Sequence, residues 1–325
     1  LWIILAIYGS KCIGQGRKQM VKRIATLVGC AVGDALGNPF EMWHVSKQGL
    51  KEWDGQFKAG GTFWVGEAGQ YTDDTLMSLA LAGSLLEKQC FDQDHVAAQY
   101  LAWMESGNTR GIGVTTARAL TGLKMGATVE EAGVTHQEDG KLTGGNGTAM
   151  RASPIGLWYR KDVEKLIEVA MADATITHNS FEPKMGSVAV ALGTALIANG
   201  LDDRIEVVRT VADIVSDSLV KDKLLLALRH LEEGTDNFEA LAEIGVNGYA
   251  PETVGAAFYC LGANNNYRDV VVLAVKAGGD TDTTAVIAGA MAGTLYGLEG
   301  IPAEDKVENF ELLQSLTDEL VNNEI

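Results

Sequence analysis

Asp280-Thr281-Asp282-Thr283-Thr284-Ala285-Val286-Ile287-Ala288-Gly289-Ala290-Met291-Ala292-Gly293-Thr294-Leu295 is the stretch on which the reading of this chain turns. It opens on alternating acids and hydroxyls, then runs on through small and aliphatic residues without a charge, as a tightly packed helix does. Thr72-Asp73-Asp74-Thr75 nearly mirrors that opening and precedes a second Ala-, Gly- and Leu-rich stretch over residues 76–86. Asp and Thr at a helix start are ordinary caps when taken singly. Four carboxylates at the mouths of two packed helices repel one another unless they are neutralised. Hard divalent cations such as Mg²⁺, Mn²⁺ and Ca²⁺ favour this kind of all-oxygen donor set.

Working outward, helical periodicity dominates. The spacing predicts helices over 21–36, 75–89, 94–104, 114–125, 162–174, 186–199, 204–216, 221–231, 253–261, 267–277 and 283–296. In the first, Ala25, Gly29, Ala31, Gly33 and Ala35 would let another backbone come close. Strand signals are nearly absent, and Val270-Val271-Val272 lies within a helical register. The fold class read here is all-α, as a single compact multi-helix bundle. Only five prolines occur in 325 residues, and no linker divides the chain. Met20-Val21-Lys22-Arg23 looks like a natural start, so residues 1–19 are read as an N-terminal extension or artefact and residues 20–325 as one domain. Residues 1–8 are apolar but too short to span a bilayer.

The net charge of −17 disfavours a nucleic-acid partner and an anionic membrane surface, both of which call for basic residues. Cys12, Cys30, Cys90 and Cys260 show no paired spacing, which suits a reduced cytoplasmic setting.

Glycine-rich loops carry the remaining chemistry. In Gly33-Asp34-Ala35-Leu36-Gly37-Asn38-Pro39-Phe40-Glu41 a helix ends near Gly37, Pro39 blocks its continuation, and Glu41 is left in a loop. Thr143-Gly144-Gly145-Asn146-Gly147-Thr148-Ala149-Met150-Arg151 runs toward a helix and offers amides suited to a phosphate.

These segments, in this order, together with Thr177-His178 and Ala277-Gly278-Gly279 ahead of Asp280, resemble the ADP-ribosylglycohydrolase family over roughly residues 20–300. That group includes dinitrogenase reductase-activating glycohydrolase and the ADP-ribosyl-acceptor hydrolases. The resemblance implies an all-α bundle around a central dinuclear metal site of Mg²⁺ or Mn²⁺, with Thr72, Asp73, Asp74, Asp280, Asp282 and Thr283 as ligands. It implies catalytic roles for Glu41 and Asp74. It places ADP-ribose on Thr143, Gly145, Asn146, Gly147, Met150 and His178, with the diphosphate on the glycine loop and the ribose region near His178. The implied reaction hydrolyses the glycosidic bond at C1″ between ADP-ribose and an acceptor, which is a protein side chain or a small conjugate.

The chain departs from the family at one point. Gly111 stands where some members carry an acid/base aspartate, and glycine transfers no proton. Glu41 or water would then take that role, the acceptor preference would differ, or catalysis would be lost. Alternatives are thus a non-catalytic ADP-ribose-binding module or a metal-dependent hydrolase of another ribose or phosphate compound. Arg110 beside it reads as a solvated surface arginine, with contact to an anionic acceptor or phosphate as the alternative.

Overall fold

The computed structural model describes residues 23–134, 144–302 and 306–323. Thr143, expected in the diphosphate loop, and Cys12 lie outside them. The α-helices in chain order are α1 (Thr26–Gly37), α2 (Gln48–Lys51), α3 (Asp73–Lys88), α4 (Gln93–Glu105), α5 (Val114–Lys124), α6 (Val129–Ala132), α7 (Ser153–Trp158) and α8 (Val163–Thr177). They continue as α9 (Phe181–Ala198), α10 (Arg204–Ile214), α11 (Leu219–Glu233), α12 (Asn237–Ile244), α13 (Ala250–Ala263), α14 (Tyr267–Lys276), α15 (Thr281–Tyr296) and α16 (Phe310–Val321). Among the described residues there is no strand, only isolated bridges, so the all-α expectation holds. No described helix is long and apolar enough to cross a membrane.

α1 and α15 form the centre. Every residue of α1 and all but Tyr296 of α15 are buried, which explains why neither carries an amphipathic stripe. They run antiparallel with almost no side chain between them. A methyl on Gly29 would stand 2.3 Å from the Gly289 carbonyl oxygen, and one on Gly33 would stand 2.1 Å from that of Ala285. The contact continues to the end of α1, where a methyl on Gly37 would meet the Asp282 Cα at 2.5 Å. The Thr26 and Thr294 hydroxyls bond across the pair at 2.7 Å, and Tyr267 donates to the Gly29 carbonyl at 2.7 Å. α9, α13 and α14 pack around α15, while α3 and α16 flank α1.

The differences from the sequence reading lie at helix ends. α9 begins at Phe181 rather than residue 186, because Pro183 sits in the first turn, where its missing N–H costs nothing. Pro251 does the same for α13. Both acidic cassettes lie inside the first turns of their helices, with Asp73 and Asp74 opening α3 and Asp282 in α15, where the helix dipole favours negative charge. α2, α6, α7, α12 and α16 are additional helices.

Candidate active site

Close packing of α1 on α15 brings the C-terminal end of α1 to the start of the second cassette. The 3₁₀ turn Asn38–Phe40 follows, with Pro39 fixing its first turn, and it delivers Glu41 beside Asp282. Met42 takes φ 62° and donates its amide to the Gly279 carbonyl at 2.6 Å, which ties this loop to the second cassette. The first cassette arrives by another route. Asp34, fully buried on α1, accepts from the Thr72 amide at 3.0 Å, the Thr75 amide at 3.1 Å and the Thr75 hydroxyl at 2.7 Å. Asp34 therefore orients the start of α3.

The result is a cavity of about 310 Å³. Glu41, Asp73, Asp74, Asp280, Asp282 and Thr283 line it together with Gly145, Asn146, Gly147, Met150 and His178. Carboxylate oxygens of Glu41, Asp280 and Asp282 lie within 4.8 Å of one another. Asp74 Oδ2 is buried without a hydrogen-bond partner, although the Thr283 hydroxyl lies against the same side chain. Burial, then the charges of Asp280, Asp73 and Asp34, pushes the Glu41 carboxyl up to about 8. Burial and Asp34 push Asp73 up to about 8 despite a hydrogen bond from the Gly113 amide. Asp74 and Asp282 also sit well above the usual carboxylate range, through burial and then Asp73 and Glu41 respectively. Thr72 departs from the rest. It does not line the cavity, and its hydroxyl caps α3 through the Asp74 amide at 3.4 Å.

The glycines let the glycine-rich loop lie across His178. A methyl on Gly145 would come 3.0 Å from His178 Nε2, and one on Gly147 would come 2.9 Å from its Cε1. Asn146 turns its amide to Asp280 Oδ2 at 2.8 Å and to Thr253 at 2.9 Å, so it bridges the loop to the second cassette. The segment after Asn146 is a run of turns, and the helix that follows, α7, has only six residues. Burial, then the Arg151 charge, holds the His178 imidazole down to about 3, and its Nδ1 pairs with the Thr177 hydroxyl at 2.9 Å.

Three features escaped the sequence reading. Arg151, buried, donates to Asp173 at 2.9 Å and to the Gly147 carbonyl at 2.8 Å, and its guanidinium lies 4.8 Å from the Tyr100 ring. Tyr100 completes the unit by donating to Asp173 at 2.7 Å, so a buried ion pair pins the glycine loop from beneath. Arg110 is not a solvated arginine. Its side chain is 14% exposed, pairs with Glu308, and donates to the Tyr71 carbonyl at 3.2 Å and to Asn108 at 2.9 Å. Gly111 has φ 79°, a conformation that favours glycine, and a methyl there would stand 3.1 Å from Asp73 Oδ1. An aspartate at 111 would thus press a further carboxylate on the cluster.

The family profile described as ADP-ribosylglycohydrolase matches residues 18–325. The chain belongs to the ADP-ribosylglycohydrolase family. Members of this family are hydrolases, and the chain is one of them. ADP-ribosylarginine hydrolase Tri1 of Pseudomonas putida is 29% identical over 302 residues, covering 90% of this chain and 76% of that protein. ADP-ribosylhydrolase ARH3 of Homo sapiens is 30% identical over 289 residues, covering 77% of this chain and 79% of that protein. A solved structure described as an ADP-ribosylglycohydrolase-related protein complex superposes with a TM-score of 0.65 at 26% identity, covering 93% of this chain and 98% of that one. The motif order that suggested this ADP-ribosylglycohydrolase assignment is therefore matched along nearly the whole chain.

Proposed function

We propose that this protein is a metal-dependent ADP-ribosylglycohydrolase that cleaves the bond between the distal ribose and an acceptor, either an ADP-ribosylated protein side chain or a small conjugate. The observation that carries this is the convergence of residues from both acidic cassettes, Glu41, the glycine loop and His178 on one cavity. Two divalent cations, Mg²⁺ or Mn²⁺, suit the donors present. All of these are oxygens, and the buried Asp74 Oδ2 lacks any other partner. Asp73, Asp74, Asp280, Asp282 and Thr283 would hold them. Thr72 would contribute only if its hydroxyl left the α3 cap, and Glu41 stands close enough to join. When bound, the cations supply positive charge that orients and polarises the ribose hydroxyls.

The chain's own groups do the rest. Glu41, close to Asp280 and Asp282 and at the junction of the two cavities, stands where it can pass a proton to the departing acceptor and then take one from attacking water. Asp74 fixes the ribose side of the cluster. Gly145 and Gly147 expose backbone to the diphosphate, and His178, neutral at physiological pH, hydrogen-bonds without adding charge. Asn146 links the loop to the second cassette. A cytoplasmic setting accords with the free Cys30, Cys90 and Cys260.

The test is turnover of ADP-ribosylated arginine and serine peptides with Mg²⁺, with Mn²⁺ and with EDTA. ADP-ribose release that EDTA abolishes is the expected result. No release from either peptide, with ADP-ribose still binding tightly, would establish the binding module instead. Asp282→Ala should lose metal and activity while keeping its fold, and a wild-type rate in that variant would exclude the metal centre. Glu41→Gln should slow turnover by roughly 10²–10⁴-fold and weaken metal binding.

A further inference from the structure

A second, larger cavity of about 730 Å³ opens outward from the acidic cluster, sharing Glu41, Phe63 and Val114 with it. One wall is the tip of a hairpin-like loop closed by paired bonds between Gly60 and Gly66 at 2.9 and 3.0 Å. Thr62 in that loop donates to the Glu41 carbonyl at 2.5 Å, so the wall and Glu41 are tied together. The facing wall is the segment between α4 and α5, with Asn108, Arg110 and Ile112. Phe63 and Val114 are exposed at 67% and 66%, which is unusual for apolar side chains at the mouth of so acidic a site.

Few charges line this groove. Among its described lining residues, Glu41 at the neck is the only carboxylate and Arg110 the only cation. Arg110 is held by Glu308, Tyr71 and Asn108, and its guanidinium already lies 5.1 Å from the Trp64 ring. An incoming guanidinium would find no carboxylate but Glu41, which the proposed reaction employs, for a forked pair, and the Trp64 face is already taken by a like charge.

We propose that this groove is the acceptor subsite, that Phe63 is a specificity-determining residue in it, and that it selects ADP-ribose conjugates with an uncharged, hydroxyl-linked acceptor over arginine-linked ones. This rests on the glycohydrolase reading above. Continuity with the acidic cluster places the groove where the leaving group departs. Its mixed walls, with Phe63, Ile112 and Val114 beside Asn108 and Thr109, suit an acceptor that needs no counter-ion.

The experiment compares kcat/KM for serine-linked and arginine-linked ADP-ribosyl peptides of matched sequence in the wild type, Phe63→Ala, Phe63→Asp and Val65→Ser. The wild type should favour the serine-linked peptide by roughly tenfold or more, as an apolar pocket discriminates. Phe63→Ala should raise KM for that peptide. Phe63→Asp supplies the missing carboxylate and should lower the preference by about tenfold. Val65→Ser, on the same loop but off the groove wall, should leave the ratio unchanged. Equal or better use of the arginine peptide by the wild type would overturn the proposal and leave the glycohydrolase reading standing. So would a ratio unmoved in a Phe63→Asp variant whose circular dichroism is intact. No ADP-ribose from either peptide would overturn both.

Discussion

Thr72–Thr75 and Asp280–Thr283 are near mirrors in sequence, yet different forces hold them. The first cassette is held chiefly by one side chain, since Asp34 takes three hydrogen bonds from Thr72 and Thr75, beside one backbone bond from the Asp73 amide to the Arg110 carbonyl at 2.7 Å. The second is set by backbone against backbone, with Gly37 lying on Asp282 and the Thr281 hydroxyl donating to the Gly37 carbonyl at 2.8 Å. A carboxylate anchor is directional and can be removed by one substitution. A glycine contact has no direction, but it tolerates no added atom. Both anchors belong to α1, so a single helix sets the spacing of the cassettes.

The largest effect should come from Gly37→Ala. Its methyl would overlap the Asp282 backbone, so we expect a loss of about 3 kcal/mol in chemical denaturation and weakened metal binding. A loss under a few tenths would mean that the helices separate easily and that the two anchors are alike. Asp34→Ala should cost about 2 kcal/mol, because three buried donors lose their acceptor while the burial of a carboxylate is relieved. Asp34→Asn should lie between that variant and the wild type, and parity of Asn with Ala would show that charge rather than acceptor geometry holds α3. His178→Gln tests the glycine-loop region. The folded protein keeps His178 down at about 3, whereas the unfolded chain takes a proton near 6.5. Unfolded protein therefore binds more protons between those values, and stability is full above 6.5 and falls with pH by up to about 1.4 kcal/mol per unit. The Gln variant should flatten that slope in urea titrations from pH 7 to 4 while leaving metal affinity in place. An unchanged slope would show that His178 is not what limits acid stability.

Much of the fold could be read from the sequence because apolar periodicity is local, and the acids at two helix mouths carried the metal expectation in the same way. What could not be read joins residues far apart. Nothing local marks Asp34 as the partner of residues 72 and 75, or Gly37 as the seat of Asp282. Arg151 is adjacent to a motif, but its role depends on Asp173 and Tyr100, which come from α8 and α4. Arg110 looked solvated because Glu308 lies 198 residues further on. Thr72 matched its motif and still turned inward, since a hydroxyl at a helix start meets the nearest amide first.

The glycine seam between α1 and α15 also has a consequence for biosynthesis. Gly37 and Thr281 are 244 residues apart, so at roughly 5–20 residues per second a ribosome takes about 10–50 s to deliver the partner of a helix already made. During that interval the seam face of α1, with Gly29, Gly33 and Gly37, lacks its cover, although α3 is already there to meet Asp34. Chains stalled before residue 281 should bind a hydrophobic holdase through residues 26–37, and completion of α15 should release it.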